Sequence, residues 1–359
     1  MSPKTLILLA KAPSETIPGD LRAGDIPRIE YVELALAIGA EILDFRSVKA
    51  STNPLVRAAA RKGPLYGLTM LGILRRNEFD HIYATGEDIG MPLAAACHAT
   101  GYYGHVTVVI HQCDTPKRRF ILRALGDGAW RNVICLAYEQ WRILTQEIGI
   151  PAKKVHRMNF WIDARFYDPA AASLSGPGDY TLSCGRESRD YETLLKAASG
   201  LPYQFQVVAS GWAPHAGFDP ATGIQSGRNI SVLKGMLSYR ELRDLYARSR
   251  FVITPLKCVN YAAGVTSICE GMAMGKAIIA SDSSGIRDYV REGVSGLLVP
   301  VGDAAALQRA IRTLWEDPER CAAMGHHNRR WVEEVLSVDQ YVKHVAGLLL
   351  ADLRHGNGG

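Results

Sequence analysis

A diphosphate can be held by free backbone N–H groups at the amino end of a helix, provided small residues let it approach. Residues 251–300 offer that arrangement. Phe251-Val-Ile-Thr-Pro255 reads as a buried strand, and the loop after it ends in Ala262-Ala263-Gly264. The stretch that follows reads as a helix that Thr266 or Ser267 can cap and Gly275 can close. A second buried strand, Ala277-Ile-Ile-Ala280, completes the unit. Gly264, Val265 and Thr266 are thus the expected backbone contacts of a phosphate. Glu270 lies four residues beyond Thr266 on the same helix face. A carboxylate there can accept hydrogen bonds from ribose hydroxyls. The plain alternative is a solvated helix residue. Yet Ile268, Cys269, Met272, Ala273 and Met274 surround it, and an unpaired carboxylate among them is costly.

A second candidate is Tyr180-Thr-Leu-Ser-Cys-Gly-Arg186, a buried strand ending in Gly185 and Arg186, with Arg189 three residues on. Without a metal-ligand cluster in the chain, a leaving diphosphate must be met by guanidinium groups and helix amino ends. Arg189 has a plainer alternative, a surface pair with Asp190 or Glu192. In the first half, His111 ends the apolar run Val106-Thr-Val-Val-Ile-His111, where a polar residue of a parallel sheet faces the ligand side. A lone histidine is more often structural. Gly86-Glu87-Asp88 ends another strand; Asp88 reads as a helix cap and Glu87 as a candidate acceptor-side base.

The elements that must position these residues alternate along nearly the whole chain. Strands are expected near residues 5–10, 40–44, 81–84, 105–111, 133–137 and 155–159. A second set is expected near 180–184, 204–209, 230–232, 251–255, 277–281 and 297–299. Helical periodicity fills the gaps, for example at 28–38, 89–100 and 239–249. The pattern implies two Rossmann-like, doubly wound α/β domains facing across a cleft. Residues 168–179, rich in Pro, Ala, Ser and Gly, read as the linker. The expected division is 1–168 on the acceptor side and 169–337 for the donor. A helix from 338 packs back on the first domain and ends in a disordered tail.

Bulk properties agree. The chain has 359 residues, 47% hydrophobic and 21% charged, which suits two domains of a soluble protein. No apolar run reaches the roughly 18 residues of a membrane span. Thr5-Leu-Ile-Leu-Leu-Ala10 reads as a first strand and not as a signal peptide. The seven cysteines are scattered, with no C-x-x-C pair, which argues against disulfides or zinc and for a cytoplasmic location. A net charge of +5 suits phosphate handling and gives no reason to expect nucleic acid.

Glu270-Gly-Met-Ala-Met-Gly-Lys-Ala-Ile-Ile-Ala-Ser281, with Gly285-Ile-Arg-Asp-Tyr-Val290 and Glu292-Gly-Val-Ser-Gly-Leu-Leu-Val299, resembles the carboxyl-terminal signature of glycosyltransferase family 4. The resemblance implies the GT-B fold and retaining, metal-independent transfer from a nucleotide-sugar donor. That donor is a co-substrate, and no resident cofactor is expected. The family carries two glutamates separated by seven residues; Glu270 matches the second, and the first falls at Ala262. Asn260 or Tyr261 could supply a neutral hydrogen bond there instead. By the same resemblance Gly185, Arg186 and Arg189 meet the donor diphosphate. Leu233, in Leu233-Lys-Gly-Met-Leu-Ser238, begins the backbone that brackets the base, and His111 contacts the donor sugar near the reacting carbon. Asp163 matches an architectural aspartate.

Residues 45–76 hold no acid but seven cations, Arg46, Lys49, Arg57, Arg61, Lys62, Arg75 and Arg76, interleaved with apolar residues. Lys117, Arg118, Arg119 and Arg123 form a second cluster. Such a surface suits an anionic membrane or a phosphorylated acceptor. The plain alternative is a cation-edged helix packed on a sheet. Two other functions compete: a GT-B epimerase acting on a nucleotide sugar without acceptor, and a non-catalytic binding subunit, motivated by Ala262.

Overall fold

The computed structural model describes residues 4–101, 105–173, 178–209, 229–233, 237–259 and 261–351. All twelve expected strands form, each within two or three residues of its expected bounds. They are β1 (Thr5–Leu8), β2 (Glu41–Leu43), β3 (His81–Ala84), β4 (Val106–Ile110), β5 (Asn132–Cys135) and β6 (Val155–Arg157), then β7 (Tyr180–Cys184), β8 (Gln204–Val208), β9 (Ile230–Leu233), β10 (Phe251–Thr254), β11 (Ala277–Ser281) and β12 (Gly296–Val299). They assemble into two parallel six-stranded sheets, ordered β2-β1-β3-β4-β5-β6 and β12-β11-β10-β7-β8-β9.

The helices of the first half are α1 (Ile17–Ala23), α2 (Glu30–Ile38), α3 (Phe45–Ala50), α4 (Pro54–Ala60), α5 (Pro64–Arg75), α6 (Glu87–Ala99), α7 (Pro116–Leu125) and α8 (Tyr138–Arg142). Those of the second are α9 (Tyr191–Ala198), α10 (Tyr239–Arg248), α11 (Val265–Ala273), α12 (Ala304–Glu316), α13 (Pro318–Trp331) and α14 (Val338–Ala351). Because helices cover both faces of each sheet, the strands read as unbroken apolar runs. Leu6, Ile7 and Leu8 of β1 and Phe251, Val252 and Ile253 of β10 are essentially inaccessible. Truncating Ile278, fully buried in β11, to alanine would cost about 2–5 kcal/mol.

By proximity the chain divides into two units. One comprises the residues up to Pro18, Ile29–Asn159 and the chain from Asp339; the other comprises Gly19–Arg28 and Phe160–Val338. Residues 160–168, ahead of the Pro/Ala/Ser/Gly stretch, thus pack with the second unit. Arg28 explains part of this grouping. Its Nε and Nη2 donate to Asp163 Oδ1 at 3.1 and 3.0 Å, and its backbone N–H donates to Oδ2 at 2.8 Å. Asp163 is architectural, as expected. In the first unit, the buried hydroxyls of Tyr83 on β3 and Tyr341 on α14 are 2.9 Å apart. Residues 174–177 of the expected linker, and the expected tail over 352–359, lie outside the described residues.

In each sheet the order reverses beside the first strand, between β1 and β3 and between β7 and β10. Loops that leave the carboxyl ends of two such strands part on either side of a crevice, where ligands of these folds bind. In the second unit those loops are residues 185–190 and 255–264.

Candidate functional site

The loop after β7 turns sharply. Gly185 has φ 111°, and Ser188, at φ 54°, lies in the left-handed region that side chains seldom enter. Bonds to the loop after β10 hold it there. Lys257 N–H donates to Ser188 O at 2.9 Å, Asp190 N–H to Pro255 O at 3.0 Å, and Arg189 bridges Leu256 as in an antiparallel pair. Side chains add to the seam. Tyr261 OH donates to Glu187 Oε1 at 2.7 Å and lies 3.0 Å from Ser188 Oγ.

Arg189 is folded back into this seam. Its Nε donates to Cys184 O at 2.9 Å, its Nη1 to Glu187 O at 2.8 Å and its Nη2 to Ser267 Oγ at 2.9 Å. It does not pair with Asp190, which caps α9 by accepting from Thr193 N–H, or with Glu192, which pairs with Lys196. The guanidinium lies so close over the loop that a Cβ on Gly185 would stand 2.2 Å from Nη2. Of its five N–H groups three are used, leaving two for a ligand.

The helix that was to hold a diphosphate begins differently from expectation. Neither Thr266 nor Ser267 caps it; the cap is Gly264, with φ 79° and no side chain to donate or accept. The reason is steric. A Cβ at Gly264 would meet Thr254 Cγ2 at 2.9 Å, Leu256 Cδ2 at 3.0 Å and Arg189 Nη1 at 3.1 Å. Bare backbone therefore enters α11, and the first-turn N–H groups have no acceptor within the helix. Ser267 Oγ donates to Gly264 O at 3.0 Å while accepting from Arg189, which ties the cation to that first turn. Val265 is buried and Thr266 exposed.

Glu270 sits one turn deeper, 8% exposed. Sequence reasoning required partners for a carboxylate in that helix but did not name them. They are two phenols: Tyr167 OH donates to Oε1 and Tyr246 OH to Oε2, both at 2.8 Å. Burial pushes the Glu270 carboxyl up to about 7 from its ordinary 4.5, against the lowering pull of both hydroxyls and of Arg189. Tyr246 was legible only as part of the apolar face of α10, and Tyr167 lies 103 residues from Glu270 in sequence.

Gly185, Arg189, Tyr261, Gly264, Val265 and Thr266 are thus brought to one seam between two loops and a helix, with Glu270 behind it on α11. Arg186 is half-buried within the first loop. Leu233 ends β9 and packs, partly buried, against the core that also receives Tyr261. Asn260 and residues 234–236 lie outside the described residues.

In the first unit His111 is exposed at the end of β4. Its Nε2 lies 3.1 Å from Thr85 O. A carbonyl only accepts, so Nε2 carries the proton and the lone pair of the neutral ring is on Nδ1. Glu87, the candidate acceptor-side base, is 4% exposed, accepts from His111 N–H at 2.9 Å and lies 3.3 Å from Arg118 Nη2, bonds that fix the strand end beneath the histidine. Asp88 is not the cap of α6. Gly86 occupies that position, and the Asp88 carboxylate, largely exposed, pairs with Arg118 at 3.4 Å.

The basic stretch folds as α3, α4 and α5. Arg46 pairs with Asp44, Arg75 with Glu41 and Glu78, and Arg76 donates to Ile73 O. Lys49, Arg57, Arg61 and Lys62 are exposed, and their side chains make no ion pair or hydrogen bond among the described residues. Leu55 and Tyr66 stand between them, 55% and 58% exposed. The second cluster is largely consumed, since Arg118 meets Glu87 and Asp88 while Arg119 and Arg123 reach Glu147.

Residues 184–317 match the family model described as glycosyl transferases group 1. The chain is 26% identical over 258 residues to D-inositol 3-phosphate glycosyltransferase 1 of Catenulispora acidiphila, covering 66% of this chain and 61% of that protein. It is 21% identical to the alpha-D-kanosaminyltransferase of Streptomyces kanamyceticus, covering 66% of this chain and 64% of that one. The chain thus spans less than two thirds of the length of these curated relatives. Among solved structures, Anabaena HepE in complex with UDP and glucose superposes with a TM-score of 0.69 at 16% identity, covering 97% of this chain and 100% of that chain. Sucrose-phosphate synthase from Thermosynechococcus elongatus gives 0.71 at 15% identity, covering 98% and 99%. Such likenesses establish the GT-B fold, and the match to the glycosyl transferases group 1 model is confined to residues 184–317, within the second unit.

Proposed function

We propose that the chain is a retaining glycosyltransferase, moving a sugar from a nucleoside diphosphate donor to an acceptor hydroxyl. The observation that carries this reading is the seam in which Arg189 joins the loop after β7 to the uncapped first turn of α11. Helix amides and a guanidinium with two unused N–H groups suit a diphosphate. The names of the relatives, and the complexes of HepE with UDP and UDP-glucose, support the same class of donor.

In this reading the acceptor hydroxyl attacks from the face that the diphosphate leaves, and a departing phosphate oxygen takes its proton. Positioning and charge stabilisation supply the rate enhancement. Arg186, Arg189 and the amino end of α11 offset the leaving charge without a metal. His111 offers its ring to the donor sugar. The acceptor is a lipid or lipid-linked molecule at an anionic membrane, met by Lys49, Arg57, Arg61 and Lys62 around Leu55 and Tyr66. Contact is peripheral, on the cytoplasmic face; among the described residues no helix is long and apolar enough to cross a membrane.

Melting with UDP, GDP and ADP tests the donor site. A ligand at about 100 times its Kd stabilises by about 2.7 kcal/mol, so the right base raises Tm measurably. Transfer is then assayed with the matching sugar nucleotides, alone and with acceptor lipid. Epimerised donor without acceptor would favour the epimerase, and binding without any turnover the non-catalytic subunit.

A further inference from the structure

We propose that Tyr167 and Tyr246 are positioning residues that turn Glu270 into a receptor for the cis-diol of the donor's ribose. The inference rests on the donor-site reading above and adds residues that no sequence pattern marks.

The geometry is specific. A carboxylate has about four lone-pair sites, two on each oxygen. Tyr167 takes one on Oε1 and Tyr246 one on Oε2, each at 2.8 Å, so each oxygen of the carboxyl is held by its own phenol. One site remains on each oxygen, and two adjacent hydroxyls are the donor pair that fits. The two rings brace each other edge to face, 6.4 Å between centroids. Tyr246 OH also lies 3.4 Å from Ser267 O, which links the clamp to the turn that Arg189 grips. The tyrosines come from outside the helix, one on residues 160–168 and one on α10, so the direction of Glu270 is set by three separate elements.

The diol needs the ionised form, which has only acceptors. Among the groups facing Glu270, Tyr167 and Tyr246 are pushed up by burial, as are the thiols of Cys184 on β7 and Cys269 on α11. All four stay neutral below pH 8.5. Glu270, raised to about 7, is then the group among these that changes over the neutral range.

The test uses the full chain and whichever of UDP, GDP or ADP raises its Tm, beside the 2′-deoxy form of that nucleotide, titrated from pH 5.5 to 8.5. The parent should prefer the ribo form roughly tenfold or more at pH 8. That preference should fade as pH falls through about 7, where the carboxyl protonates. Tyr167→Phe and Tyr246→Phe each remove one donor to the charged form. Each should cut the preference to within about threefold and move the midpoint upward. Either variant suffices should the other fold poorly. Equal affinity for ribo and deoxy forms in the parent, or a ratio and midpoint unmoved in a folded Phe variant, overturns the inference while the donor site stands. Failure of every nucleoside diphosphate to bind overturns both.

Discussion

Arg189 Nη2 donates to Ser267 Oγ over 2.9 Å, so a cation from the loop after β7 is anchored in the first turn of α11. The same guanidinium holds Cys184 O and Glu187 O, which makes it a three-way tie as well as a charge. A lysine cannot reproduce that fork. Arg189→Lys should weaken nucleoside diphosphate binding at least tenfold by calorimetric titration. A double-mutant cycle with Ser267→Ala should return a coupling of about 1–2 kcal/mol. Additive effects would show that the two side chains do not act together.

Gly264→Ala places a Cβ 2.9 Å from Thr254 Cγ2 at a φ of 79°. Strain of this kind costs about 1–3 kcal/mol. The variant should melt lower, and it should bind nucleotide more weakly even where it is fully folded, because the amides at the start of α11 are displaced. Unchanged affinity in a folded Gly264→Ala protein would move the phosphate away from this turn.

Glu270 makes stability depend on pH. Its folded value is raised from 4.5 to about 7, so burial favours the neutral acid. That contribution is present below about pH 4.5 and is lost as pH rises through about 7. A shift of that size amounts to about 3 kcal/mol. Glu270→Gln cannot ionise, so its Tm relative to the parent should rise between pH 5 and pH 8. A constant difference across that range would mean that the carboxyl is not raised. At fixed low pH the variant should be no more stable than the parent, since the two tyrosine hydroxyls then meet a neutral group in both. Glu270→Ala strands two buried phenols, at about 1–3 kcal/mol of fold stability.

Reversing Arg57, Arg61 and Lys62 to glutamate should release the protein from anionic vesicles in sedimentation assays and leave nucleotide binding intact. Each cation near such a surface contributes about 1 kcal/mol, screened over about a Debye length. A parent protein that ignores anionic vesicles even at low salt would point to a soluble acceptor.

Transfer should survive EDTA, since the proposal assigns the leaving charge to Arg186, Arg189 and α11. Loss with chelator and rescue by magnesium or manganese would overturn that assignment.

The strands were readable because parallel strands buried on both faces leave unbroken apolar runs bounded by helical periodicity, as at Phe251–Thr254 and Ala277–Ser281. The seam was readable in part. Gly185 and Gly264 mark turns by residue type, and Arg189 is a cation at a strand end. What sequence could not supply was pairing across distance. Nothing local tells Arg189 to prefer Ser267 over its neighbour Asp190, or Glu270 to find phenols 103 and 24 residues away. The surroundings of Glu87 were hidden for the same reason. Its place at a strand end suggested chemistry, and its burial against His111 N–H emerges only once β4 lies beside β3.

The bond between Tyr83 and Tyr341 spans 258 residues and lies wholly within the first unit. That unit therefore closes around a piece of chain made after Phe160–Val338, the larger part of the second unit, has left the ribosome. The order of birth is inverted with respect to the order of completion. The first sheet has its six strands by Arg157, but the Tyr83 hydroxyl on β3 meets Tyr341 only when α14 arrives, after β7–β12 of the later unit are made. Under slow synthesis the incomplete first unit is the vulnerable one, and chaperone or protease attention should concentrate there.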